Sequence, residues 1–250
     1  MKEGYELIYK RPESLLRVHN HYCPGCTHGV VHKLLAEVID ELKIQDRTLG
    51  VTPVGCAVLA YDYIDIDWQE AAHGRAPALA TGIKRIHPDK YVFTYQGDGD
   101  LAAIGTAETI DAANRGENFL IVFINNAIYG MTGGQMAPTT LEGQKTSTSP
   151  YGRNIKEMGS PIKIADILAM LPGTYYITRQ TVADVRGVRS AKKALTKAFQ
   201  YQDRKKGLCL VEFVSNCPSN WKMTPLESWD WVREKMFPYY PLGDLTTPEE

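Results

Sequence analysis

The residues with the clearest chemical potential lie between positions 91 and 135. Gly97-Asp98-Gly99-Asp100 follows an apolar run from Tyr91 to Tyr95, and Asn125-Asn126 closes a second one from Phe119 to Ile124. Asp98 and Asn126 are 28 positions apart. They would nevertheless stand side by side if the two runs were neighbouring parallel strands. A carboxylate beside an amide oxygen suits Mg²⁺, which takes oxygen ligands and commonly shares them with phosphates. The glycines of the first turn let the backbone approach a ligand closely, and a helix N-terminus offers free N–H groups to a phosphate. The pattern therefore predicts a Mg²⁺–diphosphate site. The plain alternative is a structural turn followed by an Asn cap.

The five cysteines form a second set. Cys23-Pro24-Gly25-Cys26 opens directly onto a helical stripe, Val31, Leu34, Leu35, Val38, Ile39 and Leu42. Such a CxxC is open to three readings: a redox dithiol, a zinc site shared with His19, His21 and His28, or half of an iron–sulfur ligand set. The dithiol reading suffers because no strand precedes the motif. Cys56 ends the short run Val51–Cys56, and Cys217 follows a strand from Leu208 to Val214. Cys209 lies within that strand and reads as a core thiol. His73, in His73-Gly74-Arg75, reads either as a surface histidine beside a helix or as a residue facing a ligand cleft.

These residues need elements to hold them. Between the two apolar runs, Leu101, Ile104, Ala107 and Ile110 predict one face of a helix, closed by Asn114-Arg115-Gly116. The unit is strand–helix–strand, and its strands are too apolar to have a wet face. The fold class is α/β, with a mostly parallel, doubly wound sheet covered on both sides. Both polar turns then lie at the carboxyl ends of strands, where such sheets bind ligands. Further on come a helix at 162–171, a strand at 175–178, a long amphipathic helix at 181–200, and the strand at 208–214. Thr224-Pro225-Leu226-Glu227 is a capping box that starts a last helix. Residues 137–159, rich in Pro, Thr, Ser, Gly and Lys, read as an active-site loop.

Composition limits the options. The chain has 250 residues, 44% hydrophobic and 23% charged, enough for one domain with a sizeable core. We read 1–250 as a single domain, with an irregular arm over about 1–20 and an extension over about 224–250. A net charge of −1 gives no electrostatic case for nucleic acid or an anionic membrane. No apolar run is long enough to span a bilayer, and the N-terminus lacks the apolar core of a signal peptide. The expected location is cytoplasmic. The tail Phe237–Leu242 is apolar and irregular, either a clasp on its own core or an arm on a partner chain, and the arm is the favoured expectation.

The order GDG, then NN, resembles the diphosphate-binding motif of thiamine-diphosphate enzymes. The continuation Ile128-Tyr129-Gly130-Met131-Thr132-Gly133-Gly134-Gln135 is similar to the β subunit of the 2-oxoacid:ferredoxin oxidoreductases, in the branch acting on ketoisovalerate and 2-oxoglutarate. The resemblance spans about Tyr22 to Cys217. It implies the pyrophosphate-domain fold. It implies a Mg²⁺ held by Asp98, Asn126 and the Ile128 carbonyl, and thiamine diphosphate touched by Val54, Gly55, Cys56, Ala57, Gly99, Asp100, Gly130 and Met131. It puts His73 near the cofactor as the candidate catalytic residue. It also implies one [4Fe–4S] cluster on Cys23, Cys26, Cys56 and Cys217.

The implied reaction is oxidative decarboxylation of a 2-oxo acid with coenzyme A, the electrons passing to ferredoxin. Thiamine enzymes also need a glutamate that activates the cofactor's pyrimidine. No motif for one is visible, so a separate pyrimidine-domain subunit is expected as partner. Two other classes stay open: the diphosphate-binding half of a non-redox thiamine enzyme, and a zinc-binding scaffold.

Overall fold

The computed structural model describes residues 6–246. The first five residues of the expected arm and the last four of the expected extension lie outside it. Its centre is a seven-stranded sheet in the order β2-β1-β3-β4-β6-β5-β7. The strands are β1 (Thr48–Thr52), β2 (Asp67–Glu70), β3 (Tyr91–Gly97), β4 (Leu120–Asn125), β5 (Thr174–Gln180), β6 (Leu208–Val214) and β7 (Gly243–Asp244). All pair in parallel except β7, which runs antiparallel to β5 at the edge.

Every residue of β4 and β6 is buried. Alternate side chains feed two cores. Leu120, Val122 and Ile124 face one that also takes in Val31, Leu35 and Ile39 of helix α1 (Thr27–Leu42) and Leu195 and Phe199 of α6 (Val185–Asp203). Ile121 and Phe123 face the other, against Ala80 of α2 (Ala76–Ile86), Ala112 of α3 (Thr106–Asn114) and Leu168 of α5 (Ile164–Ala169). A continuous apolar strand in a parallel sheet has this physical meaning: both faces are dry.

The helix after Gly99 departs from the expected stripe. Asp100–Ile104 winds as a π turn, and α3 begins only at Thr106. The extra residue rotates the face. Leu101, Ala102, Thr109, Ala112 and Ala113 are buried, while Ile104 is 51% exposed and points into a cleft. Gly105 permits the turn, because a Cβ there would lie 2.3 Å from the Asp100 carbonyl. Strand β2 is also absent from the sequence reading, since DWQE, in which only Trp68 is partly buried, shows no apolar alternation.

After a loop carrying the short α4 (Ile155–Met158), and beyond β6, come α7 (Pro218–Trp221), α8 (Pro225–Trp231) and α9 (Phe237–Tyr239). Thr224 and Glu227 make the expected capping box. The tail corrects the favoured expectation of a partner arm. Tyr240 is fully buried in its own chain, packed with Val214, Val232 and Met236. Its hydroxyl donates to the carbonyls of Thr139 (2.9 Å) and Ile162 (3.2 Å), and Tyr239 donates to the Pro161 carbonyl. Leu242 remains 42% exposed. An aromatic hydroxyl with two carbonyl partners in reach is better satisfied at home than across an interface.

Candidate active site

The segments leaving β1, β3 and β4 enclose a cleft of about 360 Å³. Its walls are Val54–Ala57, His73, Gly97–Asp100, Asn126 and Ile128–Thr132, with His28, Ala103, Ile104 and Ile124. Because β1, β3 and β4 are consecutive neighbours in the sheet, their ends stand in a row. That row, with the segment leaving β2 beside β1, brings together Val54, Gly55, Cys56, Ala57, His73, Asp98, Gly99, Asp100, Asn126, Ile128, Gly130 and Met131. All twelve line this one cleft.

Asp98 and Asn126 meet as the register requires. The Asn126 backbone N–H donates to Asp98 Oδ1 at 3.3 Å, and the Thr139 hydroxyl donates to Oδ2. Turned one way, the Asn126 amide donates to the Ile128 carbonyl at 2.7 Å and to Asp98 Oδ1 at 3.2 Å. Turned the other way, its oxygen meets those same two oxygens. In that second orientation three oxygens converge, a donor set that suits a hard cation. Burial pushes the Asp98 carboxyl up to about 7, against the Thr139 hydroxyl and backbone N–H groups that favour the charge. A cation in this place would remove that penalty.

The turn carrying Asn126 is held from beneath. Ala127 takes a left-handed φ of 55°. Its N–H donates to Asn125 Oδ1, while Asn125 Nδ2 donates to Glu212 Oε1 at 2.6 Å. Arg179, fully buried, pairs with Glu212 at 2.7 Å. The strained residue is therefore fixed by a hydrogen-bonded chain that crosses three strands.

Of the thiols, Cys56 lines the same wall, and Cys217 meets it at Gly130. A Cβ placed on Gly130 would be 3.2 Å from Cys56 Sγ and 3.6 Å from Cys217 Sγ. Cys26 is close enough to feel the charges of Cys217 and Cys23, and Cys56 those of Cys217, Cys26 and Cys23. Cys23 is exposed, Cys217 is buried, and the other two are intermediate. Burial raises Cys26 to about 11 and Cys56 to about 12, and raises Cys217 as well. As free thiols they are therefore neutral, and binding iron or another cation would expel their protons.

Among the described residues no group of three or more His, Cys, Asp or Glu side chains closes to single-ion spacing. Asn220 donates to Cys217 Sγ at 3.3 Å and to the Gly130 carbonyl at 2.9 Å. Cys209 stands apart, buried in the sheet with its thiol toward the Gly207 carbonyl.

His73 faces the cleft with its Nδ1 3.2 Å from Asp100 Oδ1. Asp100 is buried and also accepts from the Gly74 N–H and from Gln96 Nε2, whose own oxygen accepts from Thr94. Burial raises the Asp100 carboxyl, while these donors and His73 pull it down. The carboxylate fixes one imidazole nitrogen and leaves Nε2 for the cleft. Opposite, His28 is held neutral: burial, with His21, drops it to about 3, and its Nδ1 sits 3.3 Å from Cys26 Sγ.

Residues 54–213 match the family described as "Thiamine pyrophosphate enzyme, C-terminal TPP binding domain", thiamine pyrophosphate being another name for the diphosphate. The chain is 45% identical over 238 residues to the ketoisovalerate oxidoreductase subunit VorA of Methanothermobacter thermautotrophicus, covering 95% of this chain and 50% of that one. It is 38% identical over 219 residues to the 2-oxoglutarate synthase subunit KorB of Archaeoglobus fulgidus, covering 88% and 76%. The chain belongs to the thiamine-diphosphate-binding subunits of the 2-oxoacid:ferredoxin oxidoreductase family. A solved family structure, 2-oxoglutarate:ferredoxin oxidoreductase from Magnetococcus marinus with 2-oxoglutarate, coenzyme A and succinyl-CoA bound, superposes with a TM-score of 0.76. It is 25% identical, covering 91% of this chain and 73% of that one. The chain thus spans about half the length of the ketoisovalerate relative.

Against that family fold, several site residues escaped sequence reasoning. Thr139, on Asp98, lies 41 positions downstream in a loop, and Gln96 reads as an odd polar residue inside a strand. A glutamine buried in an otherwise apolar β3 was the available signal, because a buried amide needs partners. Glu212 and Arg179 offered the same signal in β6 and β5. No helix among the described residues is long and apolar enough to cross a membrane.

Proposed function

We propose that this chain is the catalytic, thiamine-diphosphate-binding subunit of an enzyme that oxidatively decarboxylates a 2-oxo acid, forming acyl-coenzyme A and CO₂ and reducing ferredoxin. One observation carries the reading: a single cleft wall joins the Asp98–Asn126 oxygen site to the Cys56 thiol through the strand ends of β1, β3 and β4. Bound thiamine diphosphate would supply carbanion stabilisation, the chemistry no amino-acid side chain provides.

The chain's own residues do the rest. Asp98, Asn126 and the Ile128 carbonyl would hold Mg²⁺ against the diphosphate, with the Gly97–Gly99 turn giving the backbone close access. Cys23, Cys26, Cys56 and Cys217 would hold a [4Fe–4S] cluster, with Asn220 directing a hydrogen bond at Cys217, an interaction that tunes such clusters. Asp100 orients His73, whose free Nε2 is placed to accept or donate a proton at the reacting end of the cleft.

The cleft is lined by two aspartates, Asp98 and Asp100, and by no glutamate among the described residues. The pyrimidine-activating glutamate is therefore assigned to a pyrimidine-domain partner subunit. The test is to purify the complex, measure iron, EPR signal and bound thiamine diphosphate, and assay a panel of 2-oxo acids with coenzyme A and ferredoxin. The chain without its partner should show weak or no turnover, restored on mixing. Full turnover by the partner-free chain refutes the division of the active site, and a colourless, iron-free complex refutes the cluster.

A further inference from the structure

The loop that follows the cleft is tied to both the Asp98 turn and the Asn126 turn at once. The Thr139 hydroxyl donates to Asp98 Oδ2, and the Thr140 hydroxyl donates to the Ala127 carbonyl at 2.7 Å, one residue past Asn126. Both threonines are fully buried. Every carbonyl of this segment is taken from outside it. Arg153, 5% exposed, donates through Nη1 to Ala137 (3.2 Å), Pro138 (2.9 Å) and Thr140 (2.8 Å). The remaining one, Thr139, is taken by Tyr240, 101 positions downstream. Tyr240 is itself buried, and Arg179 donates to the carbonyl of the next residue, Pro241, at 3.2 Å.

We propose that residues 137–140 form a bracket that fixes the Asp98 and Asn126 turns relative to each other, and that Tyr240 is a positioning residue that holds this bracket from behind. The proposal rests on the reading of Asp98 and Asn126 as the Mg²⁺–diphosphate ligands. Two ligands on separate loops can present a fixed oxygen geometry only if the loops are tied together, and Mg²⁺ is demanding about that geometry. The β3–β4 pairing ends at Gly97 and Ile124, and beyond it the turns meet directly only through the 3.3 Å bond from the Asn126 N–H to Asp98 Oδ1. The bracket adds a covalently continuous segment bonded to both turns. The C-terminal clasp therefore acts on the metal site without touching it.

The test compares Tyr240→Phe with Tyr176→Phe in the full chain within its purified complex. Tyr176 is a matched control: its side chain is 2% exposed, and its hydroxyl donates to Asp244 at 3.1 Å at the far edge of the sheet. Thiamine diphosphate binding is titrated by calorimetry at fixed Mg²⁺, and metal-free thermal stability is read in EDTA. Tyr240→Phe should weaken binding about tenfold, equivalent to about 1.4 kcal/mol. Tyr176→Phe should lower metal-free stability comparably and leave binding unchanged. Should Tyr240→Phe fail to fold, Thr140→Val cuts the bond to Ala127 and should weaken binding similarly.

Equal weakening by both tyrosine variants, or none by Tyr240→Phe and Thr140→Val while the wild type binds, overturns the bracket alone. A wild-type complex that binds no thiamine diphosphate with Mg²⁺ overturns the functional reading and the bracket with it.

Discussion

Replacing Asp98 with asparagine should make the metal-free protein more stable while abolishing its Mg²⁺-dependent cofactor binding. Asp98 is 3% exposed, and burial is the leading cause that lifts its carboxyl from 3.8 to about 7. A shift of about three pH units, at about 1.4 kcal/mol each, is a penalty of about 4 kcal/mol on the buried carboxylate. Below about pH 4 the group is protonated folded or unfolded, and no penalty exists. As pH rises toward 7 the unfolded chain gives up the proton while the folded one keeps it, so stability falls. Above 7 both forms are ionised and the loss is constant. Asparagine has the same shape and no such loss, and the Thr139 hydroxyl can rotate to suit it.

The stability difference between Asp98→Asn and wild type should therefore grow from near zero at pH 4 to about 4 kcal/mol at pH 8. In a chain of this length that is roughly 10 °C in melting temperature. Thermal unfolding in EDTA at pH 5 and pH 8 reads it directly. Adding Mg²⁺ with thiamine diphosphate should then raise the melting temperature of the wild type and leave Asp98→Asn unmoved, because only the carboxylate offers the cation a full negative charge. A variant no more stable than wild type at pH 8, or a difference equal at both pH values, would refute the burial reasoning. A variant that keeps the Mg²⁺-dependent gain would refute the ligand assignment.

Serine at Cys217 should lose iron or shift the EPR signal, whereas serine at Cys209, buried in the sheet away from the other thiols, should leave both unchanged; the opposite pattern shows that the wrong cysteine was chosen. Glu212→Ala should destabilise the chain by about 3–5 kcal/mol in a denaturant titration, because it leaves the fully buried Arg179 without its inner partner. A loss below about 1 kcal/mol would show that Asp166, at 2.5 Å on the other side of Arg179, compensates.

Uninterrupted apolar runs made the sheet legible, and they did so because β3, β4 and β6 are dry on both faces. The same rule hid what did not follow it. Edge strand β2 is exposed, so nothing in DWQE marks it. The π turn at Asp100–Ile104 defeated a helical stripe drawn at 3.6 residues per turn. The tail was read as a partner arm because hydrophobicity says that a residue will be covered but not by what. The deciding facts for Tyr240 were the carbonyls of Thr139 and Ile162, which no local pattern contains.

The candidate site shows the same division for a physical reason. Its glycines, Asp98, Asn126 and cysteines are turn residues at strand ends, and parallel pairing alone brings strand ends together. That much follows from motif and register. What holds them does not, because it is drawn from distant segments: Thr139 for Asp98, Glu212 for Asn125, Asn220 for Cys217. Gly130 joins the two levels. Its φ is not left-handed, so the backbone does not demand glycine there. The crowding comes from Cys56, whose sulfur would lie 3.2 Å from a Cβ there, with Cys217 in ordinary contact at 3.6 Å. Cys56 follows β1 and Cys217 follows β6, with β3 and β4 between them in the sheet. The turn after β4 must pass across that gap. A residue that reads as a loop glycine is thus the point where the Asn126 side chain and the thiols of Cys56 and Cys217 all come close to the backbone.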